Sequence, residues 1–350
     1  MAFWGKIITS TWVVGGLASL ATVTLPAGAE DGYQLGQGLR FDDIKLSGYM
    51  TLEAEVPDSG TSELFVDDLS LFVQGRFNRF FNPFIEAEIA GVPILREGAD
   101  PFSGRETDLV LERLYNDSYL RENLVLRLGK SLTPVGEWNT IHAGPLVPTT
   151  TRPLTTHRSF SEFISGVSLI YTPGDESLPV VNAYWQPDGS LSRDIDVIAN
   201  RVFHNIKGVN LAWTWGLENT VGLSLQHADV RGSSESQTLA GANAHFALGR
   251  FELLGEATYA WLDQPRALRK RDTEFGIFAQ ASFNVDERWA LHGRYEYFKD
   301  RDYERASENA VFGFSYQPKP PVVWKLEYVF QWGQELDIEQ GLKASLAILF

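Results

Sequence analysis

The chain has 350 residues and carries 45 acidic against 30 basic residues, which gives a formal net charge of −15. This acidic balance argues against a nucleic-acid partner. Cysteine is absent, so neither a disulfide nor thiol chemistry is available to the protein.

The first predicted element is a secretory signal peptide over residues 1–29. Lys6 precedes an apolar run from Ile7 to Leu25, and Pro26 to Ala29 supply a small-residue cleavage site. An anchoring transmembrane helix is the alternative because the apolar run is long. Its Thr, Ser and Gly content and the cleavage site favour removal, so we expect cleavage at about Ala29.

Sixteen short segments between Ile44 and Phe350 alternate apolar and polar residues with period two. In the first segment Ile44 and Leu46 point to one side, while Lys45 and Ser47 point to the other. Such a chain has one face for lipid and one for water, which is the requirement for a closed transmembrane β-barrel.

Seven short connections rich in turn residues alternate with eight longer polar ones, so both termini fall on the short-turn side. This arrangement is typical of bacterial outer-membrane barrels, whose ends are periplasmic. Residues 30–43 are therefore predicted to be a periplasmic N-terminal segment, without regular structure. The fourth strand fits least well, because Arg113 lies in phase with Leu109 and Leu111.

A soluble propeller or sandwich also uses many short alternating strands. Here Trp289 and Trp324 lie near the short turns, while Trp185 and Trp261 lie near the long loops, as two aromatic belts at the two faces of a bilayer would. The sequence therefore predicts an all-β fold, a 16-stranded antiparallel transmembrane β-barrel over residues 44–350, with short periplasmic turns and long outer loops.

A barrel of sixteen strands leaves an aqueous lumen, so its default function is the passage of solutes. Ten charged residues are predicted to face inward and to form the lumen wall: Lys45, Glu53, Arg76, Glu88, Arg127, Glu256, Arg294, Glu296, Lys325 and Glu327. For any one of them, simple solvation of the wall and pairing across strands is the alternative.

The longest loop, the third of the outer class, spans residues 131–162. A loop of this length in a compact domain is usually functional, and its proline-rich, apolar content predicts a fixed loop that folds into the lumen and narrows it. Its charged residues are the predicted pore constriction: Lys130 at the base, then Glu137, His142, Arg152, His157 and Arg158.

Sixteen strands, a signal peptide, a long third outer loop and a terminal Phe350 resemble the trimeric outer-membrane porin superfamily. The segment from Gly129 to Asn139 is similar to the Gly-Lys-x-x-x-Pro-x-Gly pattern that opens the corresponding loop in porins of the phosphate-selective type. The resemblance implies a homotrimer, a constriction formed by the third loop, and a terminal aromatic, Phe350, as the assembly signal read by the barrel-assembly machinery.

The predicted inward face departs from that family. Phosphate-selective members have basic residues down the lumen, whereas acidic residues outnumber basic ones on the inward positions of this chain. Phosphate specificity therefore does not carry over. Basic loop residues opposite acidic wall residues would instead set a transverse field that orders polar solutes.

These features predict an outer-membrane porin of a Gram-negative bacterium, a passive diffusion channel for small hydrophilic solutes or ions. The expected partners are outer-membrane lipid and further copies of the chain, which would meet along strands one to five because their outward positions are poor in aromatic residues. We expect no cofactor, no metal and no enzymatic activity, since the sequence has no G-x-S-x-G and no clustered metal-ligand spacing. A lipase- or protease-type barrel and a non-conducting structural or adhesive barrel remain alternatives, which conduction by the purified protein would discriminate.

Overall fold

The computed structural model describes residues 33–141, 143–189, 191, 201–216, 219–264 and 269–350. The predicted signal peptide, residues 1–29, lies outside the described residues. The described part is nearly all β, with two short helices, α1 (Trp138–Ile141) and α2 (Leu154–Arg158). No helix in these ranges is long and apolar enough to cross a membrane.

Sixteen strands, β3 to β18, form a closed antiparallel barrel in which each pairs with its neighbours in sequence and β18 pairs back to β3. The strands are β3 (Ile44–Pro57), β4 (Glu63–Gly75), β5 (Pro83–Arg96), β6 (Asp108–Arg121), β7 (Leu124–Leu132), β8 (Phe163–Tyr171), β9 (Val180–Gln186), β10 (Phe203–Trp215), β11 (Asn219–Val230), β12 (Ser236–Leu248), β13 (Phe251–Asp263), β14 (Thr273–Asn284), β15 (Trp289–Lys299), β16 (Ser307–Lys319), β17 (Val322–Gly333) and β18 (Gly341–Leu349). The predicted sixteen-stranded antiparallel barrel is confirmed.

The period-two alternation determines which side chains face inward. On β13, Tyr259 and Trp261 are exposed on the outer face, while Glu256, Thr258 and Leu262 are buried on the inner face. Successive side chains of a strand point to opposite faces, so an alternating sequence produces an apolar outside and a mixed inside.

A β-bulge resolves the conflict in the fourth barrel strand, β6. Glu86 pairs with Arg113 and Ala87 pairs with Leu111, so Glu112 is the extra, bulged residue of β6. A bulge shifts the alternation by one residue. Leu111 therefore keeps the outward phase while Arg113 turns inward and forms an ion pair with Glu86.

The N-terminal segment is more regular than predicted. Two short strands, β1 (Tyr33–Gln34) and β2 (Gly38–Phe41), form a hairpin, and β2 pairs with the start of β3. That pairing begins just beyond the end of β18, where Phe350 and Gly48 exchange two backbone hydrogen bonds of 2.8 and 2.9 Å. A Cβ on Gly48 would lie 2.8 Å from the ring of Phe350, so glycine allows the terminal ring to pack there.

Replacing Phe350 by aspartate is expected to leave the protein exported but poorly assembled as a barrel. Phe350 continues the outward phase of Leu346 and Ile348, and a charge on the lipid-facing side of a barrel is penalised. The fraction of heat-modifiable protein in isolated membranes measures assembly, with Phe350→Tyr as the control. A normal heat-modifiable yield from the aspartate variant would contradict this expectation.

Candidate pore lining

The third loop, residues 133–162 between β7 and β8, lies against the inner face of the barrel. Three inward glutamates on alternate strands, Glu256 on β13, Glu296 on β15 and Glu327 on β17, accept hydrogen bonds from its backbone; we call them the glutamate clamp. The pairs are Glu137 N and Trp138 N with Glu256 Oε1 (both 2.7 Å), Leu154 N with Glu296 Oε2 (2.8 Å), and Thr150 N and Thr151 N with Glu327 (2.9 and 2.8 Å). These bonds give partners to backbone N–H groups of the loop that would otherwise be buried without one, so the clamp fixes the loop at three points.

Two inward bases bind the same loop as donors. Arg294 Nη1 donates to Thr149 Oγ1 at 2.6 Å and to Thr151 O at 2.8 Å. Lys325 Nζ donates to Gly144 O at 2.6 Å and to Thr149 O at 3.3 Å. These donors satisfy loop carbonyls that would otherwise be buried without a partner.

Apolar side chains fill the space between the loop and the wall behind it. Val135 and Phe160 of the loop pack with Leu239 on the wall, and the Trp138 ring meets the Phe278 ring edge-on at 6.2 Å. Leu154 packs with wall residues of β15 to β17. Burial of this apolar surface adds to the polar anchoring, so one side of the barrel interior is packed rather than open.

Both glycines of the sequence pattern at the base of the loop are required by the backbone. Gly129 has φ 130° and a Cβ there would overlap the carbonyl oxygen of Leu114. Gly136 has φ 70° and a Cβ there would overlap the carboxylate of Glu256. Only glycine adopts such conformations without strain, so the pattern places the loop directly on the clamp.

A network of arginines and carboxylates is buried beside α2. The buried arginines Arg158, Arg201 and Arg301 have side chains that are at most 4% exposed. The ion pairs are Arg158 with Asp300 (3.0 Å), Arg201 with Glu274 (3.2 Å) and Asp300 (3.4 Å), and Arg301 with Glu274 (2.9 Å) and Glu235 (2.9 Å). This network joins α2 to Glu274 on β14 and to three connections of the barrel, those before β10, between β11 and β12, and after β15, and its charges are paired with one another.

A cavity of about 560 Å³ remains between the third loop and the wall formed by β3 to β6. Ten carboxyl-bearing residues line it: Glu53, Glu55, Asp67, Asp68, Glu88, Glu106, Asp108, Glu112, Glu162 and Asp337. Among the residues that the structure describes, three lysines or arginines do so: Arg105, Arg152 and Lys343. The open space is therefore acidic.

Two bulges concentrate the carboxylates on this wall. Thr51 pairs with Asp68 while Leu52 pairs with Val66, so the bulge at Asp67 brings adjacent aspartates to the cavity. The bulge at Glu112 brings its carboxylate within 4.8 Å of those of Glu86 and Glu88, a grouping that could hold a metal ion. The sequence has no clustered metal-ligand spacing and therefore predicts no metal site; these three carboxylates come together only because of the bulge.

Two of the predicted constriction residues, Arg152 and His157, line the cavity. Arg152 donates to Glu162 Oε1 and, at 2.6 Å, to Asn139 Oδ1, and His157 Nε2 lies 3.5 Å from Asp337 Oδ2. Burial lowers the pKa of His157 to about 4, and the Arg152 guanidinium adds to this shift. The imidazole is therefore neutral near pH 7, and Arg152 supplies the positive charge at this position.

The other predicted constriction residues lie elsewhere. Glu137 sits at the opposite end of the loop from α2, with Oε1 2.6 Å from Nδ1 of the inward-facing His245. Arg158 belongs to the buried network, and Lys130 is buried on β7, with Nζ 4.4 Å from the centre of the Phe163 ring. His142 falls outside the described residues.

The ten predicted wall residues divide into three groups. Glu53 and Glu88 line the cavity. Glu256, Arg294, Glu296, Lys325 and Glu327 face inward, but they are buried beneath the third loop rather than exposed to the channel. An inward orientation does not make these residues part of an open wall, because the loop covers this side of the barrel.

The remaining wall residues lie toward the short-turn ends of β3, β4 and β7. Lys45 has the inward phase of β3. Arg127 makes two contacts of 2.8 Å with Asp117 and lies over the Tyr115 ring at 3.9 Å. Arg76 is exposed and follows the end of β4, so its placement on the strand wall is wrong.

Comparison with solved structures shows the same architecture. The chain is similar to OmpF of Salmonella typhi, with a TM-score of 0.62 at 11% identity over 89% of this chain and 99% of that one. It is similar to the trimer form of OmpT, an outer membrane protein of Vibrio cholerae, with a TM-score of 0.61 at 11% identity over 88% of this chain and 99% of that one. It is also similar to an anion-selective porin from Comamonas acidovorans, with a TM-score of 0.51 at 12% identity over 87% of this chain and 98% of that one.

No protein-family model matches the chain, and no curated protein matches it by sequence. At identities of 11–12%, the structural likeness concerns the fold. The chain therefore has the sixteen-stranded porin fold, and its activity has to be argued from its own side chains.

Proposed function

We propose that the protein is an outer-membrane porin, a passive diffusion channel for small hydrophilic solutes, whose constriction is formed by the third loop. The observation that carries the proposal is the polar cavity between the loop and the wall of β3 to β6. Barrels of this size enclose water unless something fills them, and here the loop occupies only one side. Arg152 and His157 are the residues of the predicted constriction that stand on the loop side of this path.

The same proposal assigns the parts of the chain to compartments. Residues 1–29 are the signal peptide, removed at about Ala29, and the hairpin of β1 and β2 lies on the periplasmic side with the short turns. The barrel spans the outer membrane of a Gram-negative bacterium, and Phe350 is the residue read by the assembly machinery. The likeness to outer-membrane proteins of known structure supports this placement.

Liposome swelling tests the channel proposal directly. Liposomes that contain the folded protein should swell quickly in small sugars and progressively more slowly as the sugar becomes larger, because a fixed constriction sieves by size. Heat-denatured protein is the control. The proposed channel has no catalytic step. If the folded protein lets no sugar through, an enzymatic or purely structural barrel is favoured instead.

We also propose a homotrimer with contacts along β3 to β7, supported by the aliphatic outer face of these strands and by the trimer form of the similar Vibrio cholerae protein. Cysteines placed at Leu71 and Leu109, which face outward and are 51% and 80% exposed in the single chain, should crosslink into trimers. Cysteines at Leu291 and Phe312, with 52% and 59% exposure, are the matched controls on the opposite side. Crosslinks only from the control pair would place the contact elsewhere.

A further inference from the structure

We propose that the channel prefers cations and that its permeant solutes are small cations whose charge is met by carboxylate oxygens. The inference rests on the proposed channel function and adds its substrate class. It concerns one surface, the acidic wall, which we define as the inward carboxylates of β3 to β6 that line the cavity. The anion-selective porin of similar fold shows that the architecture does not fix ion preference, so the side chains of each chain decide it.

The cavity has a surplus of negative charge after its bases are paired. Arg152 is engaged by Glu162, and Lys343 forms an ion pair with Glu55. Arg105 lies 3.5 Å from Glu63, whose carboxylate is outside the cavity lining. All three basic side chains of the lining are thus bound to carboxylates, and Asp337 is paired with Arg158. Three acidic side chains of the lining, Glu53, Asp68 and Glu88, form no ion pair among the described residues and are left to act on a passing ion.

On the opposite side of the barrel, the inward bases that the structure describes beneath the loop are already bound and do not balance the wall. Arg294 and Arg301 have no exposed side-chain surface, and both donate to carboxylates beneath the loop. Lys325 is buried and binds loop carbonyls. The field in the open path therefore comes mainly from the acidic wall, and in a narrow space with low-dielectric sides such a field acts strongly on permeating ions.

Three carboxylates of the acidic wall lie on neighbouring strands. Asp68 lies on β4, Glu88 on β5 and Glu112 on β6, and the carboxylate oxygens of Glu88 and Glu112 approach to within 4.8 Å. Like charges this close repel one another, and a cation between them relieves that repulsion. Oxygen-only surroundings of this kind suit alkali and alkaline-earth ions and the ammonium groups of organic cations.

A second observation points to an occupant at the same place. Tyr49 lines the cavity near these three carboxylates and is 1% exposed, and its hydroxyl has no hydrogen-bond partner among the described residues. Asp68, Glu88 and Glu112 are its electrostatic neighbours. A buried polar group without a partner is costly, and a hydrated or partly hydrated cation passing the wall gives this oxygen a partner.

Reversal potentials in planar bilayers with a tenfold KCl gradient test the inference. The wild-type channel should show a permeability ratio of K⁺ over Cl⁻ on the order of tenfold, because several uncompensated carboxylates act in a confined path. Combining Asp68→Asn and Glu88→Gln should move the ratio toward one. The matched control is Glu176→Gln, an exposed carboxylate in the short connection between β8 and β9, which should leave the ratio unchanged.

A substitution with the opposite sign guards against loss of folding in the double variant. Arg152→Gln removes a positive charge from the lining and should raise the K⁺ over Cl⁻ ratio. If the wild-type channel conducts but its permeability ratio of K⁺ over Cl⁻ is at or below one, the inference is overturned and the channel function stays intact. Folded protein without any conductance would overturn the proposed function and the inference together.

Discussion

Replacing Glu256 and Glu327 together by alanine is expected to release the third loop and to raise the single-channel conductance. The two carboxylates accept four backbone N–H groups of the loop at 2.7 to 2.9 Å. An intramolecular hydrogen bond contributes about 0.5–1.5 kcal/mol, so the loss of four of them removes a large part of the polar anchoring of the loop. A loop that leaves the wall widens the narrowest part of the path.

Conductance steps in planar bilayers measure this effect, together with the frequency of transient closures. Glu287→Ala, in the short turn between β14 and β15, removes an exposed carboxylate without touching the loop and is the control. If the double variant folds and conducts like the wild type, with neither larger steps nor more closures, the glutamate clamp does not set the pore size.

Replacing Arg301 by methionine is expected to lower the free energy of unfolding of the barrel by about 3–5 kcal/mol, the range typical when one member of a buried ion pair is removed. Arg301 is fully buried, and it lies 2.9 Å from both Glu274 and Glu235. Methionine keeps the apolar length of the side chain but removes the cation that bridges the two buried carboxylates, so among the described residues Glu274 keeps only Arg201 and Glu235 keeps only Arg269, at 3.2 and 3.5 Å.

Denaturant unfolding in detergent micelles, followed by tryptophan fluorescence, gives the change as a shift of the midpoint at constant slope. Arg305→Met in the same connection is the matched control, because Arg305 is exposed and its loss should have little effect. Equal midpoints for the two variants would show that the buried network contributes little to stability.

The strands could be predicted because their cause is local. Alternation over ten or so residues reports which face meets lipid, and this holds along β13 without reference to any other part of the chain. The bulges at Asp67 and Glu112 break that rule by one residue each. The phase conflict at Arg113 was the visible trace of the second bulge, but the sequence alone did not say which residue was extra.

The contacts by which the third loop binds the barrel wall could not be predicted, because they join residues more than a hundred positions apart. Glu256 binds Trp138, and Glu327 binds Thr151, through contacts that no local pattern encodes. One sign was available. Phe278, Phe298 and Val311 are apolar residues at inward positions. Apolar side chains are unsuited to a water-filled wall, so they indicate that another segment of the chain packs over them.

The acidic excess was visible in the sequence, but its placement was not. Strand alternation gives all inward acids and bases the same orientation, whereas the structure separates them into a buried set beneath the loop and an open set on β3 to β6. Glu296 and Glu327 belong to the first set, and Glu53 and Glu88 belong to the second. Only this separation allows an ion preference to be argued.

Single-channel recording of the purified wild-type protein in planar bilayers tests the central claim most directly, that the space between the third loop and the acidic wall is an open path through the barrel. We expect stepwise, ohmic current increments from protein that is heat-modifiable and therefore folded. Folded protein that inserts into the bilayer and produces no increments at any salt concentration would contradict the account, because the loop would then seal the barrel.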